Sequence, residues 1–241
     1  MTAGALAGKE IVLAGGAGGL GAATARMLAE EGARLVVSYR ANAERARSLE
    51  PITTLVQADL TVAADRASLL DAAPDLYGLV VFAGDPARVT DASPMEAAIE
   101  RSHHVNYLGP ILLAREAAAR MRERGTPGAI VLFSTMQAVS LFPGSTAYAG
   151  AKAALLHTAR ILAKECRGPA NIRVNVIGPG VISAGMAEAS ITAGKYDRYL
   201  KEGIVPRFGR ALDIARAVRF LLEPDNYITG QVLTVDGGLT L

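Results

Sequence analysis

The run EIVLAGGAGGLGAATARMLAEEGA, residues 10 to 33, constrains this chain more than any other. A short apolar stretch reads as a strand, five glycines follow within residues 15 to 21, and an Ala-rich stretch from 20 to 31 reads as a helix. A strand that turns this tightly into a helix leaves the first amides of that helix pointing outward at the strand's end. Gly15, Gly19 and Gly21 then allow a tight turn and let a phosphate-sized anion approach the backbone.

The rest of the chain repeats this order. ARLVVSY, TTLVQAD, GLVVFAG, GAIVLFS, IRVNVIGPG and GQVLTVDGG read as further strands, and 96–123, 148–167 and 211–222 are among the helix-like stretches between them. Strands apolar on both faces that alternate with helices predict an α/β fold: a doubly wound, Rossmann-type parallel sheet of about seven strands. No repeat, linker or low-complexity tract divides residues 1–241, so one domain is expected. The exception to regularity is 183–206, SAGMAEASITAGKYDRYLKEGIVP, whose weak periodicity between glycines and prolines predicts a lid.

Composition narrows the function classes. With 51% hydrophobic and 20% charged residues the chain is expected to be globular, and a net charge of +2 without a basic stripe argues against nucleic acid as a partner. The single cysteine, Cys166, excludes an intramolecular disulfide and a cysteine metal cluster, and fits a reducing compartment, so cytoplasm is the expected location. The amino terminus lacks a basic leader with an apolar core, and no apolar stretch approaches the roughly 18–20 residues that span a bilayer.

Tyr148 and Lys152 stand four residues apart in GSTAYAGAKAAL. On a helix such a pair shares one face, and a nearby cation is what a tyrosine, with an ordinary pKa near ~10, needs in order to transfer a proton. Taken alone the spacing is common. Its force comes from the hydroxyl-ended strand IVLFST before it and from HHVNYLGP, where Pro110, lacking an N–H, leaves the carbonyl of Asn106 without its helical partner and kinks the helix.

These motifs together resemble the short-chain dehydrogenase/reductase family, closest to its 3-oxoacyl carrier-protein reductase branch. The glycine spacing G-x-x-x-G-x-G, the Y-x-x-x-K pair, the asparagine helix, the Pro-Gly turn of NIRVNVIGPGVI and the carboxy-terminal RFGRALDIARAVRFLLEPDNYITGQVLTVDGG carry the resemblance over nearly the whole chain. It implies four catalytic residues: Tyr148 as proton donor, Lys152 lowering its pKa and binding ribose, a hydroxyl orienting the carbonyl, and Asn106 supporting a proton relay. The family's serine stands thirteen positions before the tyrosine, which gives Thr135 here; Ser134 takes the position only if the intervening loop differs by one residue.

The resemblance also implies the cofactor contacts. Gly15, Ala17, Gly18, Gly19, Leu20 and Gly21 would meet the pyrophosphate, Asp59 and Leu60 the adenine, and Ala83 and Gly84 the end of the fourth strand. Pro179, Gly180 and Ile182 would lie near the nicotinamide. Ser38 and Arg40 end the second strand where NAD-binding members carry an acid, and an arginine there favours the 2′-phosphate of NADP(H) over NAD(H).

Three departures from the family pattern stand out. Val81 and Phe82 stand where two asparagines are usual, Ala184 stands where a threonine is usual, and Thr126 and Ala170 replace arginines that dock the acyl carrier, with Arg124 and Arg167 nearby. Docking of an acyl carrier protein is therefore doubtful. Met136, Gln137, Phe142 and Met186 are expected to line a mostly apolar substrate pocket, and His103 and His104 to lie on a helix surface. The resemblance implies a homotetramer, with the Asn106 and Tyr148 helices at one interface and the carboxy-terminal strand at another. The leading expectation is an NADP(H)-dependent ketone reductase, a 3-oxoacyl thioester being one substrate class. An NAD-linked dehydrogenase of a small cyclic or sugar-like alcohol and a non-catalytic dinucleotide-binding homologue are the alternatives.

Overall fold

The structure, a computed structural model, describes residues 4–90 and 94–241. Its first half runs β1 (Glu10–Ala14), α1 (Gly19–Glu30), β2 (Arg34–Tyr39), α2 (Ala43–Arg47), β3 (Thr54–Gln57), α3 (Ala63–Asp71) and β4 (Leu76–Val81). The second continues with α4 (Met95–His103), α5 (Gly109–Glu123), β5 (Gly128–Phe133), α6 (Met136–Val139), α7 (Thr146–Glu165) and β6 (Ile172–Pro179). After β6 come α8 (Glu188–Thr192), α9 (Asp197–Lys201), α10 (Ala211–Leu222) and β7 (Val232–Val235). The seven strands form one sheet in the order β3-β2-β1-β4-β5-β6-β7, every pair parallel.

This is the doubly wound sheet that the alternating pattern predicts, with each expected strand in place. Successive residues of a strand point to opposite faces, and here both faces are covered. Val12, Leu79, Ile130 and Val174 pack on one side against Leu113, Ala117 and Leu155 of α5 and α7. Ile11, Leu13, Val80 and Val131 pack on the other against Leu28 of α1 and Ile214 and Val218 of α10. Connections leave β1 toward β2 on one side and β4 toward β5 on the other. The carboxyl ends of β1 and β4 therefore flank a crevice, the place where open α/β sheets take ligands.

Pro110 shapes the helix that follows β4. Residues His104–Leu108 form a π turn between α4 and α5, closed by the Gly109 amide donating to the His104 carbonyl. The sequence predicts a kink; the widened turn is the form it takes, because an i→i−5 bond removes the crowding a proline ring imposes on a regular turn. Asn106 lies inside it, fully buried.

The expected lid leaves β6 and returns before α10. Its ends are tied together: the Ser183 amide donates to the Gly209 carbonyl at 2.7 Å and the Gly209 amide to the Val181 carbonyl at 2.9 Å. Between them lie only a 3-10 turn, Gly185–Ala187, and the five-residue helices α8 and α9. Among the described residues no helix is long and apolar enough to cross a membrane.

Candidate active site

The floor of the site is built where β5 ends. Ser134 and Thr135 are neighbours in an extended backbone, so their side chains diverge. The Ser134 hydroxyl donates to the Lys152 carbonyl at 2.9 Å, inside the protein against the backbone of α7. The Thr135 hydroxyl accepts from the Gln137 amide at 3.3 Å, capping α6, and its side chain acts on Tyr148 in the direction that lowers it. Of the two hydroxyls, Thr135 is the one brought to the tyrosine.

Tyr148 and Lys152 lie one turn apart on α7, but they turn to different partners. The Lys152 ammonium is buried and donates to the Phe133 carbonyl at 2.8 Å, and this burial lowers it to about 8. Burial likewise pushes Tyr148 up to about 12, the Thr135 side chain works in the opposite direction, and Tyr196 of the lid adds to the rise. The ammonium is not among the groups that bring the tyrosine down. Tyr148 is therefore a neutral hydroxyl at physiological pH, and with the site empty it is a weaker acid than an ordinary tyrosine, contrary to the expected lowering by Lys152.

Gly84 draws the remaining members together. A Cβ on it would sit 3.1 Å from Asn106 Oδ1, 3.7 Å from Lys152 Nζ and 3.6 Å from Met186 Cε. Only glycine leaves that space open beside the lysine. The Asn106 carboxamide clamps the segment after β4 from both sides, Oδ1 accepting from the Asp85 amide and Nδ2 donating to the Asp85 carbonyl, each at 2.9 Å. Nδ2 also donates to Ser102 Oγ at 2.9 Å, and Ser102 donates to the Ala147 carbonyl at 2.8 Å. Ser102 thus links α4 to the residue before Tyr148. Sequence reasoning passed over it, although its place four residues before Asn106 on one helix face is a readable signal.

At the other end of the crevice the glycines have separate tasks. Gly15 has φ +70°, and a Cβ there would strike the Ala83 backbone at 2.9 Å, so the ends of β1 and β4 close up only with glycine at this point. Gly21 meets Gly16 so closely that a Cβ would lie 2.4 Å from it, which brings α1 down onto the turn. Gly18 is the N-cap of α1 and supplies no side-chain cap; Ala17 is buried, and Leu20 is packed with the core under α1.

Ser38 holds the turn rather than facing the crevice: it is 1% exposed and accepts from the Gly15 amide at 2.9 Å. Arg40 is exposed at the end of β2 and acts on Asp59, whose carboxylate accepts from the Thr61 amide and hydroxyl. Burial works to raise Asp59, but those bonds and Arg40 hold it below the ordinary range. Leu60 is buried against Gly109.

Pro179 ends β6, and Gly180 fits against Asp236, where a Cβ would come within 2.6 Å. Ile182 is buried beside the lid bridge, with its carbonyl accepting from the Ala184 amide at 2.7 Å. Of the expected pocket residues, Met186 reaches Gly84, whereas Gln137 is already engaged by the Ser145 hydroxyl. Arg124 is bound to Asp75 at 2.8 Å. Arg167 lines a separate surface cavity with Arg160 and Lys164.

The free amides that open α1 and the crevice between the carboxyl ends of β1 and β4 fit a dinucleotide. A sequence model of the family described as enoyl-(acyl carrier protein) reductase matches residues 15–240. The chain belongs to the short-chain dehydrogenase/reductase family of oxidoreductases.

It is 34% identical to an NADPH-dependent aldehyde reductase-like protein, chloroplastic, of Arabidopsis thaliana, over 97% of this chain and 94% of that protein. It is also 34% identical to the 3-oxoacyl-[acyl-carrier-protein] reductase of Rattus norvegicus, over 97% and 98% respectively. Among solved structures, the NADPH-dependent 3-quinuclidinone reductase of Rhodotorula rubra superposes with a TM-score of 0.81 at 26% identity, covering 97% of this chain and 92% of that one.

Proposed function

We propose that this protein is an NADP(H)-dependent reductase that converts a ketone to a secondary alcohol. The observation that carries the reading is Tyr148, acted on by the Thr135 side chain and standing one helical turn before a buried Lys152 whose ammonium is held by the Phe133 carbonyl. Bound NADPH would supply the hydride for the carbonyl carbon. The chain's own residues do the rest. Thr135 holds the carbonyl oxygen within reach of Tyr148, and the Tyr148 hydroxyl gives that oxygen its proton as negative charge develops there. Lys152, still cationic below about pH 8, stabilises the tyrosinate once the site is filled and binds ribose. Asn106 fixes the segment after β4 that borders Lys152 and serves the relay that returns the proton.

NADP(H) is favoured over NAD(H) because Arg40 stands at the end of β2 and attracts a 2′-phosphate. The Arabidopsis relative, an NADPH-dependent aldehyde reductase-like protein, and the NADPH-dependent 3-quinuclidinone reductase support the same preference. A homotetramer is supported by the apolar side chains Ile161 and Phe220, left exposed on α7 and α10. The single buried cysteine fits work in the cytoplasm.

The test is NADPH oxidation with simple ketones and 3-oxoacyl thioesters, for wild type and Tyr148→Phe. Turnover by wild type and a loss of about 10²–10⁴-fold in the variant are expected. Absence of turnover by wild type, or equal turnover by both, overturns the reading.

A further inference from the structure

Ser102 belongs to none of the motifs that mark the site, yet it is fully buried among them. It stands on α4, four residues after Ala98 and on the same face. Ala87, Ala98 and Ala147 form one buried cluster, and Tyr148 packs against it. Small side chains at these points bring α4 close to the first turn of α7, so that a residue as short as serine spans the gap and donates to the Ala147 carbonyl at 2.8 Å.

The direction of this bond is fixed from the other side. A carboxamide has two donor hydrogens on its nitrogen and accepts only at its oxygen. In Asn106 the oxygen Oδ1 takes the Asp85 amide, while Nδ2 serves the Asp85 carbonyl and Ser102 Oγ, each at 2.9 Å. A reversed amide would set Oδ1 against the Asp85 carbonyl and Nδ2 against the Asp85 amide. Nδ2 therefore faces Ser102, the serine oxygen accepts, and its single proton is left for Ala147. Every donor hydrogen of these two buried side chains is thereby used.

The segment after β4 meets the same cluster a second time. The Asp85 carboxylate accepts from the Ala87 amide at 2.7 Å, and Ala87, held at φ +50° where a side chain is unfavourable, is part of the cluster that Tyr148 packs against. One polar and one apolar route thus run from the segment that borders Lys152 to the tyrosine. A packing role would ask only for a small side chain at position 102. The hydroxyl adds a bond whose loss leaves a buried Nδ2 hydrogen without an acceptor and frees the Ala147 carbonyl.

We infer that Ser102 is a positioning residue for proton transfer: by way of the Ala147 carbonyl it keeps the first turn of α7, and with it Tyr148, in fixed register with the segment that Asn106 clamps. The inference rests on the reductase reading.

The experiment compares wild type and Ser102→Ala in NADPH titration, in single-turnover oxidation of bound NADPH by ethyl acetoacetate in H2O and D2O, and in hydrogen exchange of peptides covering 146–152. Removal of one oxygen is expected to keep the fold, with a lowered unfolding midpoint. The chemical step should slow by about 10-fold and its solvent isotope effect should rise, because the proton donor is misplaced, while Kd for NADPH and KM for the ketone stay within about twofold. Exchange in the first turn of α7 should quicken by about 10-fold, with the rest of α7 unchanged.

An unchanged chemical step with a lowered midpoint reduces Ser102 to a structural residue and overturns the assignment. A slower step that brings NADPH affinity down with it, or that leaves the solvent isotope effect unmoved, does the same. Unchanged exchange in the first turn of α7 overturns it in every case. A wild type inert toward every ketone and thioester offered overturns the reductase reading, and quickened exchange in Ser102→Ala then still supports the link to α7.

Discussion

The floor and the roof of the site are built on opposite terms. On the floor, Ser134, Thr135, Lys152, Asn106 and Ser102 are all buried, and all but Thr135, which caps α6, are bonded to an element other than their own: β5 to α7, the π turn to the segment after β4, α4 to α7. In the roof, the bonds inside the lid are local. Ala193 bonds to Ala189, Lys195 to Ser190 and Ile204 to Tyr199, while Met186, Leu200 and Ile204 remain exposed. The bridge at its base, the buried Val205 and the approaches of Gly185 to Gly19 and Met186 to Gly84 tie this segment down. Under the proposed function the proton-transfer groups need fixed distances while a substrate pocket tolerates adjustment, which is the division of packing this contrast shows.

The largest test of that contrast is Lys152→Met. Activity is expected to fall by about 10²–10⁴-fold, while stability rises by on the order of 1 kcal/mol, because removal of a buried charge outweighs the lost Phe133 bond. Folding holds the Lys152 ammonium at about 8, below the ordinary 10.5. The unfolded chain therefore binds the extra proton between those values, and stability through this group rises with pH across the window. The gain of the variant is accordingly full below about pH 8 and fades toward 10.5, readable as unfolding midpoints over pH. A variant less stable than wild type at pH 7 would break the claim that function here opposes stability.

Next in size is the pair of neighbouring hydroxyls. Thr135→Ala should lower kcat by about 10²-fold and cost about 1 kcal/mol of stability through the lost cap on α6. Ser134→Ala should cost about 1 kcal/mol of stability and leave kcat within a few fold, since its hydroxyl serves only the α7 backbone. Chemical denaturation and steady-state kinetics on both variants separate the roles, and a reversal of the two phenotypes would reassign them.

The smallest effect belongs to the roof. Tyr196 acts on Tyr148 from the lid, so Tyr196→Phe is expected to change KM for the ketone several-fold while kcat and NADPH affinity stay near wild type. A loss in kcat comparable with that of Thr135→Ala would place the lid within the fixed machinery and dissolve the contrast.

Much of this was legible in the residues. The strand-glycine-helix start, the β-branched runs and the spacing of Tyr148 and Lys152 are local patterns, and local patterns survive in a linear text. Pro110 announced a disturbed helix, though not the π turn, because the choice between kink and wide turn depends on what packs around it. Ser38 was read as facing the cofactor, but the structure turns it inward to the Gly15 amide, a partner 23 residues away that no spacing reveals. The lid's short helices were hidden for a related reason: their stability comes from few and local contacts, so no strong periodicity is imposed on residues 183–206.

The sequence by itself determined the fold class and the alternation of strands and helices along the chain, since hydrophobic periodicity and glycine freedom act within a few residues. Only the tertiary structure decided which hydroxyl meets Tyr148, that Lys152 turns to the Phe133 carbonyl, and that Ser102 reaches the Ala147 carbonyl. Those are contacts between segments distant in the chain, fixed by burial and by the need of each buried polar group for a partner.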